Sequence, residues 1–267
     1  EPMKLVFSVE VQRAKKKNAP LVALETSVLA QGLPYPRNVE AARRCEAAVR
    51  EAGATPAAMA VIDGVLHVGL DDAQTELLAT GKNLLKLGSR DLAIAVAQKR
   101  TGGTTVSATC EMAARAGISV FATGGLGGVH RGVAEDLDIS QDLPAIARWP
   151  VAVVCAGAKS VLDLPKTLEL LETLGVPVIG VGTNELPGFY SRETGLMLEH
   201  SVPNARAAAE IVKARQALEQ GGLIFAVPPP EKTALARKEI EKHLKAALAL
   251  GKQKGISGKA ATPFLLG

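Results

Sequence analysis

Short apolar runs alternate with amphipathic stretches along nearly all of the 267 residues. Leu21–Leu24 reads as a first buried strand, and Asn38 then caps a helix through about Glu51 with Val39, Ala42, Cys45 and Val49 on one face. Ala58–Ile62 and Val65–Val68 flank Asp63-Gly64, the dipeptide of a tight hairpin. Asp71 and Asp72 open a helix that ends near Gly81, and Thr104–Ala116 predicts another, stopped by Gly117. Ser119–Thr123 is a strand, Asp142–Arg148 a short helix, and Val151–Cys155 an uninterrupted apolar strand. Leu162–Leu174 is a helix stopped by Gly175, and Val176–Val181 is the next strand. The helix Asn204–Gln220, the strand Leu223–Val227 and the helix Lys232–Leu250 complete the pattern.

Buried strands alternating with helices predict an α/β fold with a largely parallel central sheet. Helices cover both faces (an α/β/α sandwich), and the Asp63-Gly64 hairpin adds a small antiparallel piece. No internal repeat or low-complexity linker interrupts residues 1–267, so a single domain is expected. Aromatic residues make up only 3% of the chain, so Leu, Val, Ile and Ala must fill the core. That scarcity argues against a stacking surface for single-stranded nucleic acid.

The net charge of +4 is small and spread out; it reads as a solvated surface, with no nucleic-acid partner expected, and it suits an anionic substrate. Cys45, Cys110 and Cys155 are widely separated with no CxxC spacing, which indicates neither a disulfide framework nor a zinc site. No signal-like stretch and no membrane-length apolar run is visible, and the cytoplasm is the expected location.

In such sheets ligands bind beyond the carboxyl ends of the strands, so the loops after Leu24, Thr123, Cys155 and Val181 are the ones to inspect. Glu25, directly after the first strand, is placed to donate a proton, or else to pair with a lysine or cap a turn. Thr123 is followed by Gly124-Gly125-Leu126-Gly127-Gly128-Val129-His130-Arg131. These glycines let backbone N–H groups approach an anion, with His130 and Arg131 adding positive charge; a plain turn is the other reading. The segment fits neither GxGxxG nor a P-loop.

Glu135, Asp136, Asp138 and Asp142 lie close together and suit Mg²⁺ or Mn²⁺, or simple helix capping, for which Asp142 is the natural choice. Lys159 stands just past the most apolar strand among small residues, where desolvation would free its amine to attack a carbonyl; a surface lysine at a helix start is the alternative. Lys86 lies in a basic cluster before Gly88-Ser89-Arg90-Asp91, and Thr104-Thr105-Val106 opens a helix whose N-terminus could face a phosphate.

Six segments together resemble the pseudouridine-5′-phosphate glycosidases, also called indigoidine synthase A-like proteins. They are Ala23–Asn38, Gly102–Thr109, Val120–Gly132, Asp138–Asp142, Val153–Leu164 and Gly258–Leu266, and they span almost the whole chain. The resemblance implies reversible cleavage of the C–C bond between uracil and ribose 5-phosphate. It places the proton donor on Glu25, the Schiff-base lysine on Lys159 and the metal-binding aspartate on Asp138, with substrate contacts on Lys86, Val106, Ser140, Gln141 and Asp142. His130 is added to the substrate-facing set from its place in the glycine-rich loop. One Mn²⁺ per subunit and a homotrimer are implied as well.

The chain departs from the family pattern at Glu25-Thr26-Ser27, at Gln31 and at Val227-Pro228. The family chain usually continues past Leu266 with an Asn-rich helix, which is expected to be missing here. Two rival readings stand beside this one, the first sharing Lys159 and the glycine-rich loop. One is another lysine–imine lyase acting on a sugar phosphate; the other is a sugar-phosphate-binding subunit without turnover.

Overall fold

The computed structural model describes residues 5–253. They fall into two compact units, one made of the chain up to Ala122 together with Arg148–Val151, the other of Thr123–Ala147 and the chain from Ala152 onward.

The first unit runs β1 (Leu5–Phe7), α1 (Val9–Lys16), β2 (Leu21–Leu24), α2 (Arg37–Glu51), β3 (Thr55–Ile62), β4 (Val65–Val68), α3 (Asp72–Thr80), β5 (Leu85–Leu87), α4 (Leu92–Ala97), β6 (Gly102–Thr104), α5 (Val106–Ala116) and β7 (Val120–Ala122). Its strand order is β1-β4-β3-β2-β7, with β6 beside β3 and β5 beside β6. The pairs β1–β4, β2–β3, β2–β7 and β5–β6 are parallel, whereas β3 meets β4 and β6 antiparallel. Residues 56–61 of β3 are all buried, so both faces of this strand are covered. Alanines at 57, 58 and 60 let the covering layers come close.

The predicted hairpin is present: Asp63 and Gly64 both take left-handed φ values, +49° and +77°, as a two-residue turn requires. A Cβ on Gly64 would come within 2.7 Å of the Val96 carbonyl oxygen.

Asn38 is not the helix cap. It lies inside the first turn of α2, buried, and its amide donates to the carbonyls of Leu29 (2.8 Å) and Ala79 (3.0 Å). The helix therefore begins two residues earlier than an Asn38 cap implies, and Cys45, expected on its inner face, is exposed. The helix predicted from Thr104 starts instead at Val106, because Gly102–Thr104 form β6, where a Cβ on Gly103 would come within 2.6 Å of the Thr26 carbonyl oxygen.

The second unit runs α6 (Val133–Asp136), α7 (Asp142–Arg148), β8 (Ala152–Cys155), α8 (Leu164–Thr173), β9 (Val178–Val181), β10 (His200–Val202), α9 (Ala205–Ala217), β11 (Leu223–Ala226) and α10 (Arg237–Gln253). Its strands lie in the order β8-β11-β9-β10, all parallel. Ala208, Ile211 and Val212 of α9 cover one face, against Ala152, Ile179, Leu223 and Phe225. All of β11 is buried, so the opposite face is covered too. Each fully buried Leu or Phe of such a core contributes about 1.5–3 kcal/mol. The Asp163 carboxylate accepts from the Lys166 N–H (3.2 Å) and caps α8, which therefore starts two residues later than the apolar pattern predicts. Among the described residues no helix is long and apolar enough to cross a membrane.

Candidate functional site

In the first unit, β2 and β6 approach one another along one edge of β3. Leu24 of β2 pairs with Ala58, and Gly103 of β6, running the other way, pairs with Ala60. Their carboxyl ends meet at Met59, whose carbonyl accepts hydroxyl hydrogen bonds from Thr26 (2.6 Å) and Thr104 (2.8 Å). Thr26 and Thr104 also bond to each other, the Thr104 N–H donating to the Thr26 hydroxyl (3.0 Å) and the Thr26 N–H to the Thr104 carbonyl (3.2 Å). Both chains leave the sheet at this point.

Glu25 is consequently set directly beside the strand end, and its Oε2 accepts from the Ser27 hydroxyl (2.8 Å). Lys86 stands opposite Gly103 in the β5–β6 register, and Val106 opens α5. Three predicted residues are thus gathered around one threonine-clamped junction. The Thr105 hydroxyl donates to the Leu87 carbonyl (2.9 Å) and does not cap α5.

In the second unit the glycine-rich loop is bonded along both margins. On one side, the Ala156 N–H donates to Gly124, Leu126 to Gly157, Lys159 to Leu126, and Asp163 to Val129, at 2.8–3.1 Å. On the other, the His130 N–H donates to Asp138 (3.0 Å), Ser140 to Gly128 (2.9 Å), and the Gly127 N–H to the Asp142 carboxylate (2.9 Å). His130, Asp138, Ser140, Gln141, Asp142 and Lys159 therefore sit on three cross-bonded segments.

The glycines serve clearance. A Cβ on Gly127 would run into the Ser140 hydroxyl and come within 2.7 Å of Asp142 Oδ2, and one on Gly128 would come within 2.6 Å of Thr167 Oγ1. Lys159 is half-buried between buried Ala158 and Ser160. Cys155, four residues upstream, is no competitor as a nucleophile, because burial pushes its thiol up to about 12. Arg131, read as part of an anion cradle, instead pairs with Glu241 at 3.3 Å. The Asp142 carboxylate reaches across to the Gly127 amide, a contact that local helix capping does not foresee.

Thr167 holds these loops together and was invisible in the sequence. It is 2% exposed, its hydroxyl donates to the Asp163 carbonyl (2.7 Å), and it accepts from the Val129 N–H (3.0 Å). Thr167→Val, near-isosteric, would leave the buried Val129 N–H unpaired, at a cost of about 1–3 kcal/mol. Thr167→Ser keeps the hydroxyl. Chemical denaturation should therefore show the valine variant clearly less stable than the serine variant; equal stability would mean the clamp contributes nothing.

Among the described residues no three His, Cys, Asp or Glu side chains form a group that could hold a metal ion. The donor set at the predicted position is the Asp138 carboxylate, with His130 Nδ1 3.8 Å from its Oδ2. One accessible carboxylate suits a hard, hydrated ion such as Mg²⁺ or Mn²⁺, which keeps most of its waters. It does not suit a dehydrated cation caged by protein ligands.

Comparison with known proteins identifies the family and the fold. Residues 10–267 match the family model described as indigoidine synthase A like protein. A pseudouridine-5′-phosphate glycosidase of Myxococcus xanthus (strain DK1622) is 65% identical over 99% of this chain and 88% of its own. One from Staphylococcus aureus (strain MW2) is 49% identical over 98% of this chain and 85% of its own. Among solved structures, the prealnumycin C-glycosynthase AlnA in complex with ribulose 5-phosphate superposes with a TM-score of 0.90 at 38% identity, covering 100% of this chain and 86% of that one. An indigoidine synthase A-like protein of Thermotoga maritima gives 0.87 at 33% identity, covering 99% and 85%. Both share the mostly parallel sheet with its helices and its antiparallel element.

Proposed function

The chain belongs to the indigoidine synthase A-like protein family, and from that premise we propose that it splits pseudouridine 5′-phosphate into uracil and ribose 5-phosphate, reversibly, through an imine on Lys159. The observation that carries the activity is 65% identity across 99% of the chain to a glycosidase of that name. The AlnA neighbour, a C-glycosynthase crystallised with a pentulose phosphate, supports C–C glycosidic chemistry on a sugar phosphate.

A C–C glycosidic bond offers no ordinary leaving group, so an electron source must be attached to C1′. The Lys159 amine bonds to C1′ as the bond from C1′ to the ring oxygen opens, and its proton passes to that oxygen. The nitrogen lone pair then forms the C=N bond as the bond from C1′ to uracil C5 breaks. The released electron pair stays on C5, which takes its proton from Glu25. Water hydrolyses the iminium, returning the amine and releasing ribose 5-phosphate.

Lys86, Val106, His130 and the Ser140-Gln141-Asp142 segment bind the substrate in this reading. Asp138 is the residue that would hold Mn²⁺. When bound there, the ion would supply positive charge that favours an anionic substrate. The enzyme works in the cytoplasm as a homotrimer, without nucleic acid or membrane. None of its three cysteines forms a disulfide, which suits a reducing compartment.

The test is incubation with pseudouridine 5′-phosphate and Mn²⁺, following uracil by chromatography. Stoichiometric uracil and ribose 5-phosphate are expected. Binding without release would favour the non-catalytic subunit, and turnover of other sugar phosphates alone would favour a different lysine–imine lyase.

A further inference from the structure

The loop after β9 carries an aromatic ring whose position is specified from two directions. Phe189 has φ +69°, a left-handed conformation that is strained for a bulky side chain. Its N–H donates to the Ala156 carbonyl (2.9 Å), which fastens the loop to the turn leading to Lys159. Gly157 takes φ +92°, and a Cβ there would run into the Pro187 carbonyl, so the two loops lie backbone against backbone. The ring itself rests on Gly124 and Gly125: a Cβ on Gly125 would come within 2.7 Å of Phe189 Cε2.

Both the strained backbone and the bare glycines beneath it are arranged so that a ring fits there. Core packing does not account for it. Phe189 is only half-buried and stands outside the apolar cluster around Phe225. Its one described ring contact is Tyr190, at 4.5 Å between centroids and 64° between planes. In a chain with 3% aromatics, this pair stands beyond the carboxyl ends of β8 and β9, where sheets of this kind bind ligands.

We propose that Phe189 is the specificity-determining residue for the base, giving uracil an apolar ring to lie against while Lys159 holds the sugar. The proposal rests on the glycosidase reading above. It predicts a split between the two halves of the substrate.

Phe189→Gly removes the ring and relieves the strained φ, whereas Phe189→Tyr keeps the ring. In the synthetic direction, with ribose 5-phosphate and Mn²⁺, the glycine variant should show a KM for uracil raised about 5–150-fold, the range of a lost base–aromatic contact. Borohydride trapping of ribose 5-phosphate on Lys159 should proceed at the wild-type rate. The tyrosine variant should restore the uracil KM.

An unchanged uracil KM in Phe189→Gly overturns the proposal. So does a parallel loss of trapping, which would make the ring a structural prop. If the unsubstituted protein neither traps ribose 5-phosphate nor joins it to uracil, the glycosidase reading itself fails, and the base role of Phe189 with it.

Discussion

Lys159→Ala is expected to abolish uracil release, with a loss on the order of 10⁴-fold or more, as when other covalent enzymes lose their nucleophile. The loop should survive the change. Its backbone N–H is bonded to Leu126 and its carbonyl to Leu162, each at 3.0 Å, and neither bond uses the side chain. The variant should therefore fold with an unaltered melting temperature and still bind ribose 5-phosphate. The decisive measurement is borohydride reduction in the presence of ribose 5-phosphate, followed by mass spectrometry. The unsubstituted chain should gain one reduced pentose phosphate on the peptide containing Lys159, and the variant none. Trapping at another lysine would move the nucleophile; turnover by the variant would remove the imine from the mechanism altogether.

Glu25→Gln should separate the two chemical steps. Glutamine retains an oxygen to accept from the Ser27 hydroxyl, so the threonine-clamped junction of β2 and β6 stays intact. What it loses is the transferable proton, a contribution of about 10²–10⁴-fold in general acid catalysis. Uracil release should fall by that factor while imine trapping with ribose 5-phosphate continues. If trapping falls together with uracil release, Glu25 is serving imine formation; if release is unchanged, the proton comes from elsewhere.

How far the sequence reached depended on where side chains carry the signal. The apolar run Val151–Cys155 proved to be β8, Gly117 closes α5 in a left-handed conformation, and Asp63-Gly64 makes the turn. The strand at Gly102 and Gly103 went unseen because two residues without side chains show no periodicity. Their strand is defined by the bonds of their neighbours. The β1–α1 and β10 elements escaped as well, being short and only partly buried, too weak a pattern to register. Asn38 has the composition of a cap but the burial of a core amide, a distinction made by Leu29 and Ala79 from other parts of the chain.

For the candidate site, the rule that loops beyond strand ends carry function made Glu25 and Lys159 candidates, and the family resemblance gave them their expected roles. The residues that hold those loops, Thr26, Thr104 and Thr167, looked ordinary because each has a partner at least 33 positions away. Phe189 was overlooked for a related reason: a backbone angle leaves no mark in composition.

The double seam of bonds along residues 124–131 also bears on turnover. Glycine-rich loops over phosphates often act as lids, whose opening governs the pace of an enzyme. This one is sewn down on both sides, and its glycines face occupied space. Lifting it would break the bonds of both margins together, so it is expected to act as a fixed floor and to add no slow step to substrate entry or product departure. Any gating that limits the rate has to come from a different part of the molecule.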